Sequence, residues 1–410
     1  LLVYKNEFLT NYSQKDIFDS IQEIKRKHLL HNQEKRKTTS HYPTQKMKKS
    51  LLLPILVLLL NLCAYAQEEK TPPLHSNEAQ TLINQLNSSR EKGTLFGQED
   101  TLAYGIGWKT TPDKAWNSDV YRSSGQFPAI YGWDLGHVTT NKNIDGVPFE
   151  HIRQWILQVH KKGGINTISW HARNPVTGES AWVKSNEPGY IHDILPEGSH
   201  HTEYMRKLEK VGDFLTSLKT ENGTLVPIIF RPFHEFEGGW FWWTSVKNSP
   251  EDFIALWKLT VDYLRNERGL NNLLLCYNPN FYGLDVAENY YPGDEYVDLV
   301  GVDMYWHSHK RFTQRTDKAL ELLTKFAIQK GKIPCLSETG HGGIEADDGW
   351  WSDILLPLIE NRKLAYVLVW RNDPEYTFFV PTPEMESSND FKKFTENENL
   401  FMLNDLSIHK

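Results

Sequence analysis

Cysteine is scarce. Three residues in a chain of 410 cannot staple a disulfide scaffold or close a four-cysteine zinc site. No Gly-x-Gly-x-x-Gly turn follows the first strand-like run, which speaks against a dinucleotide-binding sheet. Internal repeats, low-complexity tracts and a dividing linker are all missing from residues 93–410. Positive charge is in deficit as well. The net charge is −7, and residues 1–66 hold 11 Lys/Arg against 5 Asp/Glu, so the remainder carries −13. Such a surface does not suit a nucleic-acid partner.

Long apolar runs are also absent, with one exception at Leu51 to Leu62. It follows Met47-Lys48-Lys49-Ser50 and precedes the small-x-small site Ala64-Tyr65-Ala66. A short basic segment, about a dozen apolar residues and a cleavage site describe a secretory signal peptide. Met47 therefore reads as the start, residues 1–46 as an upstream extension and 47–66 as the leader. The product is expected to be exported, periplasmic or extracellular. Cys63 raises a competing lipid-anchored reading, although no small residue stands directly before it. With cleavage after Ala66, Cys276 and Cys335 remain, both in apolar runs that predict free, buried thiols.

Aromatic side chains are in surplus: 14 Trp, 18 Tyr and 19 Phe make up 12% of the chain. Aromatics beyond the needs of a core often line binding clefts. Residues 67–92 read as a polar lead-in and a helix, with Ser76 as cap and Gly93 as stop. Eight short apolar runs follow: Leu95–Gln98, Ala129–Trp133, Ile165–Trp170, Val226–Phe230, Leu273–Tyr277, Leu299–Asp303, Ile333–Ser337 and Tyr366–Trp370. Helical periods over Glu150–Lys162, Glu203–Leu218, Pro250–Arg268, Asp317–Gln329 and Trp350–Asn361 separate most of them. This alternation predicts a single (β/α)8 TIM barrel over residues 93–410, with a doubly wound open sheet as the alternative.

In a barrel the chemistry sits just past the C-terminal ends of the strands. Strand four exits as Arg231-Pro232-Phe233-His234-Glu235, and strand seven as Ser337-Glu338-Thr339-Gly340. Strands three, six and eight exit at Trp170-His171, Asp303-Met304-Tyr305-Trp306 and Trp370-Arg371-Asn372. Glutamates at the ends of strands four and seven can face each other across the mouth. At about 5 Å they suit retaining glycoside hydrolysis, in which one carboxylate attacks and the other donates and recovers a proton. Glu235, between His234 and Trp240-Phe241-Trp242-Trp243, is the candidate for a raised pKa and hence the acid/base. Glu338, with Tyr305 as a hydrogen-bond partner, is the candidate nucleophile. Trp240, Trp242 and Trp243 cannot all point inward. Arg371 either pairs with Asp373 or binds sugar, and Trp306 is either substrate platform or packing. No metal site is expected: Gly238 stands where His-Glu-x-x-His needs its second ligand.

The segment from Arg231 to Trp243 resembles the acid/base region of glycoside hydrolase family 26, the β-mannanases. Trp170-His171-x-x-Asn174-Pro175, Asp303-x-Tyr305, Ser337-Glu338-Thr339-Gly340 and Trp370-Arg371-Asn372 match in the same order. The resemblance implies Glu235 as acid/base and Glu338 as nucleophile. His171 and His234 would contact the sugar at the cleavage subsite, Tyr305 would bond the nucleophile, and Trp240 would border the site. Trp370 would floor the cleft, and Arg371 would bind the next sugar on the non-reducing side. One departure, Phe236-Glu237-Gly238-Gly239 after the acid/base, bears on leaving-group contacts. The implied activity is double-displacement cleavage of β-1,4-mannosidic linkages in mannan, glucomannan or galactomannan, without a cofactor or protein partner. A bias toward mannobiose is expected, because long segments follow strands three and eight. A β-1,3-1,4-glucanase or β-1,3-xylanase of the same family is the alternative, and a non-catalytic carbohydrate-binding barrel is another from a different class.

Overall fold

The computed structural model describes residues 74–184, 186–305, 308–342, 349–373 and 378–407. The expected leader at 47–66, with Cys63, and Trp306 and His307 lie outside the described residues. Eight strands make the frame: β1 (Thr94–Glu99), β2 (Ile130–Asp134), β3 (Ile165–Trp170), β4 (Ile228–Pro232), β5 (Leu273–Tyr277), β6 (Leu299–Tyr305), β7 (Ile333–Gly340) and β8 (Tyr366–Val369). Each runs parallel to the next, and β1 pairs with β8 in the register Leu95 to Tyr366, closing the ring. The fold is the expected (β/α)8 barrel, and its strands are the eight apolar runs.

Adjacent strand residues divide between two apolar layers, as a pleat requires. Phe96, Tyr131, Phe230, Leu275, Val300 and Val367 pack outward in the large layer beneath the helices. Leu95, Ile130, Ile229, Leu274, Leu299 and Leu368 belong to a second cluster, which fills the barrel itself. The helix α1 (Asn77–Arg90) joins that inner cluster through Ala79, Leu82 and Leu86, so it closes the N-terminal end of the barrel. Ser76 caps it, its hydroxyl accepting the Ala79 N–H at 3.2 Å. Among the outer helices are α2 (Phe149–Lys161), α3 (His201–Ser217), α4 (Pro250–Asp262), α5 (His309–Lys330) and α6 (Ser388–Thr395).

Three differences from expectation have local causes. The helix expected over Trp350–Asn361 opens as a wide π-turn, Trp350–Leu355, and continues only through Leu356–Ile359. Pro357, without an N–H, sits at that junction. The helix expected to start at Asp317 begins at His309. The helix α6 and the short strand Leu400–Phe401, which pairs with β1 at Thr94–Leu95, follow the eighth strand–helix step and were not expected.

Up the barrel, the interior changes from apolar to polar. Ile229 gives way to Arg231, Leu274 and Cys276 to Asn278, and Leu299 to Gly301 and Asp303. A Cβ on Gly301 would stand 2.3 Å from both Asn278 Oδ1 and Ser337 Oγ, so this position must stay bare for those groups to meet. The thiols of Cys276 and Cys335 are free and buried, 3.9 Å apart. Among the described residues no helix is long and apolar enough to cross a membrane.

Candidate active site

The residues that deliver the two carboxylates leave their strands abnormally. After β4, Phe233 and Glu235 both adopt left-handed backbone (φ 51° and 52°), which is sterically costly for side chains of this kind. The surroundings hold them there. The Phe233 ring is enclosed by Trp242, Trp243, Phe253 and Trp257, and the Glu235 N–H donates to Asn278 O at 2.9 Å. Trp243 Nε1 donates to His234 O (2.8 Å) and Trp242 Nε1 to Ala172 O (2.7 Å). These two tryptophans are buried braces, and Trp240 alone of the three faces the cleft.

On β7 the device is a bulge. Val302 pairs with Leu336, but the next residue, Asp303, pairs with Glu338. The same extra residue appears against β8, where Val367 pairs with Leu336 and Val369 with Thr339. Ser337 is thereby inserted and Glu338 is re-aimed to lie beside Asp303. Such bulges commonly redirect side chains at active sites.

The result is three carboxylates around one buried guanidinium. One oxygen each from Glu235, Asp303 and Glu338 lies within 4.8 Å of those of the others. Arg231 donates to Asp303 Oδ2 at 2.8 Å and, through its other terminal nitrogen, to Glu338 Oε1. Tyr305 donates to Glu338 Oε2 at 2.7 Å. Ser337 Oγ lies 2.9 Å from Asp303 Oδ1 and also meets Asn278 Oδ1. Burial pushes Asp303 up to about 7, with Arg231 opposing and Glu338 adding to the rise. Glu235 is driven well above the usual carboxylate range by burial, then by the charges of Asp303 and Glu338. The Trp240 indole, 2.7 Å from Glu235 Oε2, and Arg231 pull the other way. Glu338 is bonded by a cation and a phenol, while burial and the neighbouring charges favour the protonated form of Glu235. The three carboxylates could also ligate an ion, but Arg231 already occupies two of them with a fixed positive charge.

The histidines form a chain. His171 Nδ1 lies 2.7 Å from Asp134 Oδ2, and its Nε2 lies 3.2 Å from His234 Nε2. Burial depresses both rings, yet Asp134 outweighs it at His171, whose pKa rises. His234 falls well below its usual value through burial, Arg231 and His171. Protonation is thereby favoured at His171 and disfavoured at His234. Trp370 stands edge-on to His171 at 6.0 Å. Arg371 pairs with Asp145 (Nε to Oδ1, 2.7 Å) and Asp373 (3.1 Å), while its side chain stays 22% exposed. It serves as a structural partner of Asp373 and still faces solvent.

The structure thus gathers His171, His234, Glu235, Trp240, Tyr305, Glu338, Trp370 and Arg371 at one end of the barrel. Sequence reasoning assigned no role to Arg231, Asp303 or Asp134. The signal was present for each: a charged residue inside a buried strand needs a partner, and Asp134 is itself a strand exit. Trp182, 47% exposed and stacked on His171 at 5.1 Å, was also missed; it lies in a long loop without periodicity.

Comparisons with known proteins bear on the fold and the family. The family described as Glycosyl hydrolase family 26 matches residues 72–347. A solved β-mannanase of this family from Bacteroides ovatus is 38% identical, with a TM-score of 0.76 over 80% of this chain and 96% of that one. A mannan endo-1,4-beta-mannosidase of Bacillus subtilis is 28% identical over 311 residues, covering 72% of this chain and 81% of its own. Another, from Bifidobacterium adolescentis, is 29% identical over 357 residues, and there the chain spans only 35% of the relative's length. Matched motifs, a closed parallel barrel and paired carboxylates at the ends of β4 and β7 come together in one assignment: this chain belongs to glycosyl hydrolase family 26 and is a glycoside hydrolase.

Proposed function

We propose that the chain is a retaining β-1,4-mannanase acting on mannan, glucomannan or galactomannan. The observation that carries the mechanism is the approach of Glu235 and Glu338 to within 4.8 Å. Glu338, steadied by Arg231 and Tyr305, attacks the anomeric carbon. Glu235 gives its proton to the departing glycosidic oxygen, and the bond from that oxygen to the anomeric carbon breaks. The glycosyl–Glu338 ester then yields to water, whose proton returns to Glu235 as the ester bond breaks. His171, Trp240, Trp370 and Arg371 would hold sugar rings around this point.

The substrate rests on the relatives' names, both mannan endo-1,4-beta-mannosidases. Product analysis on linear mannan, galactomannan, lichenan and β-1,3-xylan tests it. Release of manno-oligosaccharides with a bias toward mannobiose is expected. Cleavage of lichenan or xylan in preference to mannan would replace this reading with the same-family alternatives, and binding without product would favour the non-catalytic barrel. Export, expected from residues 47–66, is tested by fractionating cells that express the whole chain.

A further inference from the structure

Beyond Glu235 the mouth continues into a cavity of about 450 Å3, lined by Glu235, Trp240, Asn280, Tyr282, Tyr305 and Arg315. These residues come from the β4–β6 sector and from α5. Trp370, Arg371 and Tyr104 belong to the β8–β1 sector, and in a closed ring of eight strands β5 stands opposite β1. The catalytic pair separates the two sectors. Glu235, the acid that protonates the departing oxygen, lines this cavity, so a chain threaded across the mouth sends its leaving group into it.

The far wall is built for that purpose. Tyr282 is 57% exposed, an unusual state for a large aromatic in this protein. Its backbone is held out by the residue before it: Phe281 is buried and adopts left-handed backbone, φ 52°. Glu237 restrains this bend. Its carboxylate accepts the Tyr282 N–H at 3.1 Å and that of Phe281, while its own N–H donates to Asn280 Oδ1 at 3.2 Å. The Arg315 guanidinium lies over the Tyr282 ring at 6.0 Å. An exposed ring beside a fork of N–H donors matches a sugar, whose C–H face stacks on the ring while its hydroxyls accept from the guanidinium.

The geometry points to Tyr282 and Arg315 as the binding site for the leaving-group sugar, a β-linked hexopyranosyl residue on the reducing-end side of the scissile bond. Glu237 is the positioning residue that presents Tyr282. This rests on the proposed hydrolase reading, with Glu235 as acid. It gives a use to the Phe236-Glu237-Gly238-Gly239 departure, whose carboxylate fastens the adjoining loop.

Two substrates test it. Mannopentaose places a sugar in the cavity, whereas β-mannobiosyl fluoride has fluoride as its leaving group and places none. In Tyr282→Ala the ratio of kcat/KM for mannopentaose to that for the fluoride should fall about tenfold or more, and in Arg315→Met by a smaller factor in the same direction. Glu237→Ala should lower the ratio as Tyr282→Ala does. Glu237→Gln, which keeps an acceptor oxygen, should restore most of it. A ratio that stays at the wild-type value in Tyr282→Ala overturns the assignment while the hydrolase reading stands. A wild-type enzyme inert on both substrates overturns the hydrolase reading and this inference with it.

Discussion

Replacing Trp240 by Phe removes one hydrogen bond from Glu235 and keeps an aromatic ring at the edge of the cleft. The indole Nε1 donates to Glu235 Oε2 at 2.7 Å, and the ring packs edge-on to Phe241 at 6.3 Å, a contact that Phe can largely keep. A hydrogen bond to a charged group contributes roughly 1.5–3 kcal/mol, and one pKa unit corresponds to about 1.4 kcal/mol. Glu235 is partly open to the cleft, so solvent recovers some of the loss and a shift of about one unit is expected. The sign follows from which form is stabilised. Trp240 favours the carboxylate, so its loss raises a pKa that burial, Asp303 and Glu338 already hold high. Glu235 must be protonated to donate, and the basic limb of kcat/KM therefore moves to higher pH in Trp240→Phe. The assay is a pH–rate series on a manno-oligosaccharide with wild type and variant, alongside circular dichroism to confirm equal folding. A basic limb that stays in place, or moves down, would refute Glu235 as the group titrating there.

Asp303→Asn should move that limb the opposite way, since Asp303 is the larger of the two charges that raise Glu235. With the two carboxylates within 4.8 Å and an effective dielectric near 20, the downward shift is on the order of two to three units, and the same pH–rate series reads it. Glu338→Ala should lower kcat about a thousandfold or more on every substrate, with the circular dichroism spectrum unchanged; near-normal turnover would remove Glu338 from the chemistry. Leu86→Ala opens a cavity in the barrel floor, where Leu86 is fully buried, and should cost about 2–5 kcal/mol in denaturant unfolding while activity per folded molecule persists.

Much of this architecture was legible because parallel barrel strands are buried on both faces and read as unbroken apolar runs. Ile165–Trp170 and Leu273–Tyr277 appear in the sequence with the bounds they have in the fold. Polar residues directly after such runs then mark the mouth, which is how His171, Glu235, Glu338 and Arg371 stood out. What stayed hidden depends on pairings that a sequence window does not contain. The bulge at Ser337 exists only relative to β6 and β8, and without it Glu338 and Asp303 would not lie side by side. Arg231 reaches a partner 107 positions away. Tyr282 sits in a segment that reads as irregular, and its exposure follows from the bend at Phe281 that Glu237 holds in place.

The anomeric configuration of the first product decides the central claim. Proton NMR recorded within the first minutes of mannotetraose hydrolysis, before mutarotation equilibrates the sugar, should show the new reducing end formed as the β-anomer. That is the signature of two successive displacements at Glu338. An initial α-anomer would mean a single displacement by water and would contradict the account.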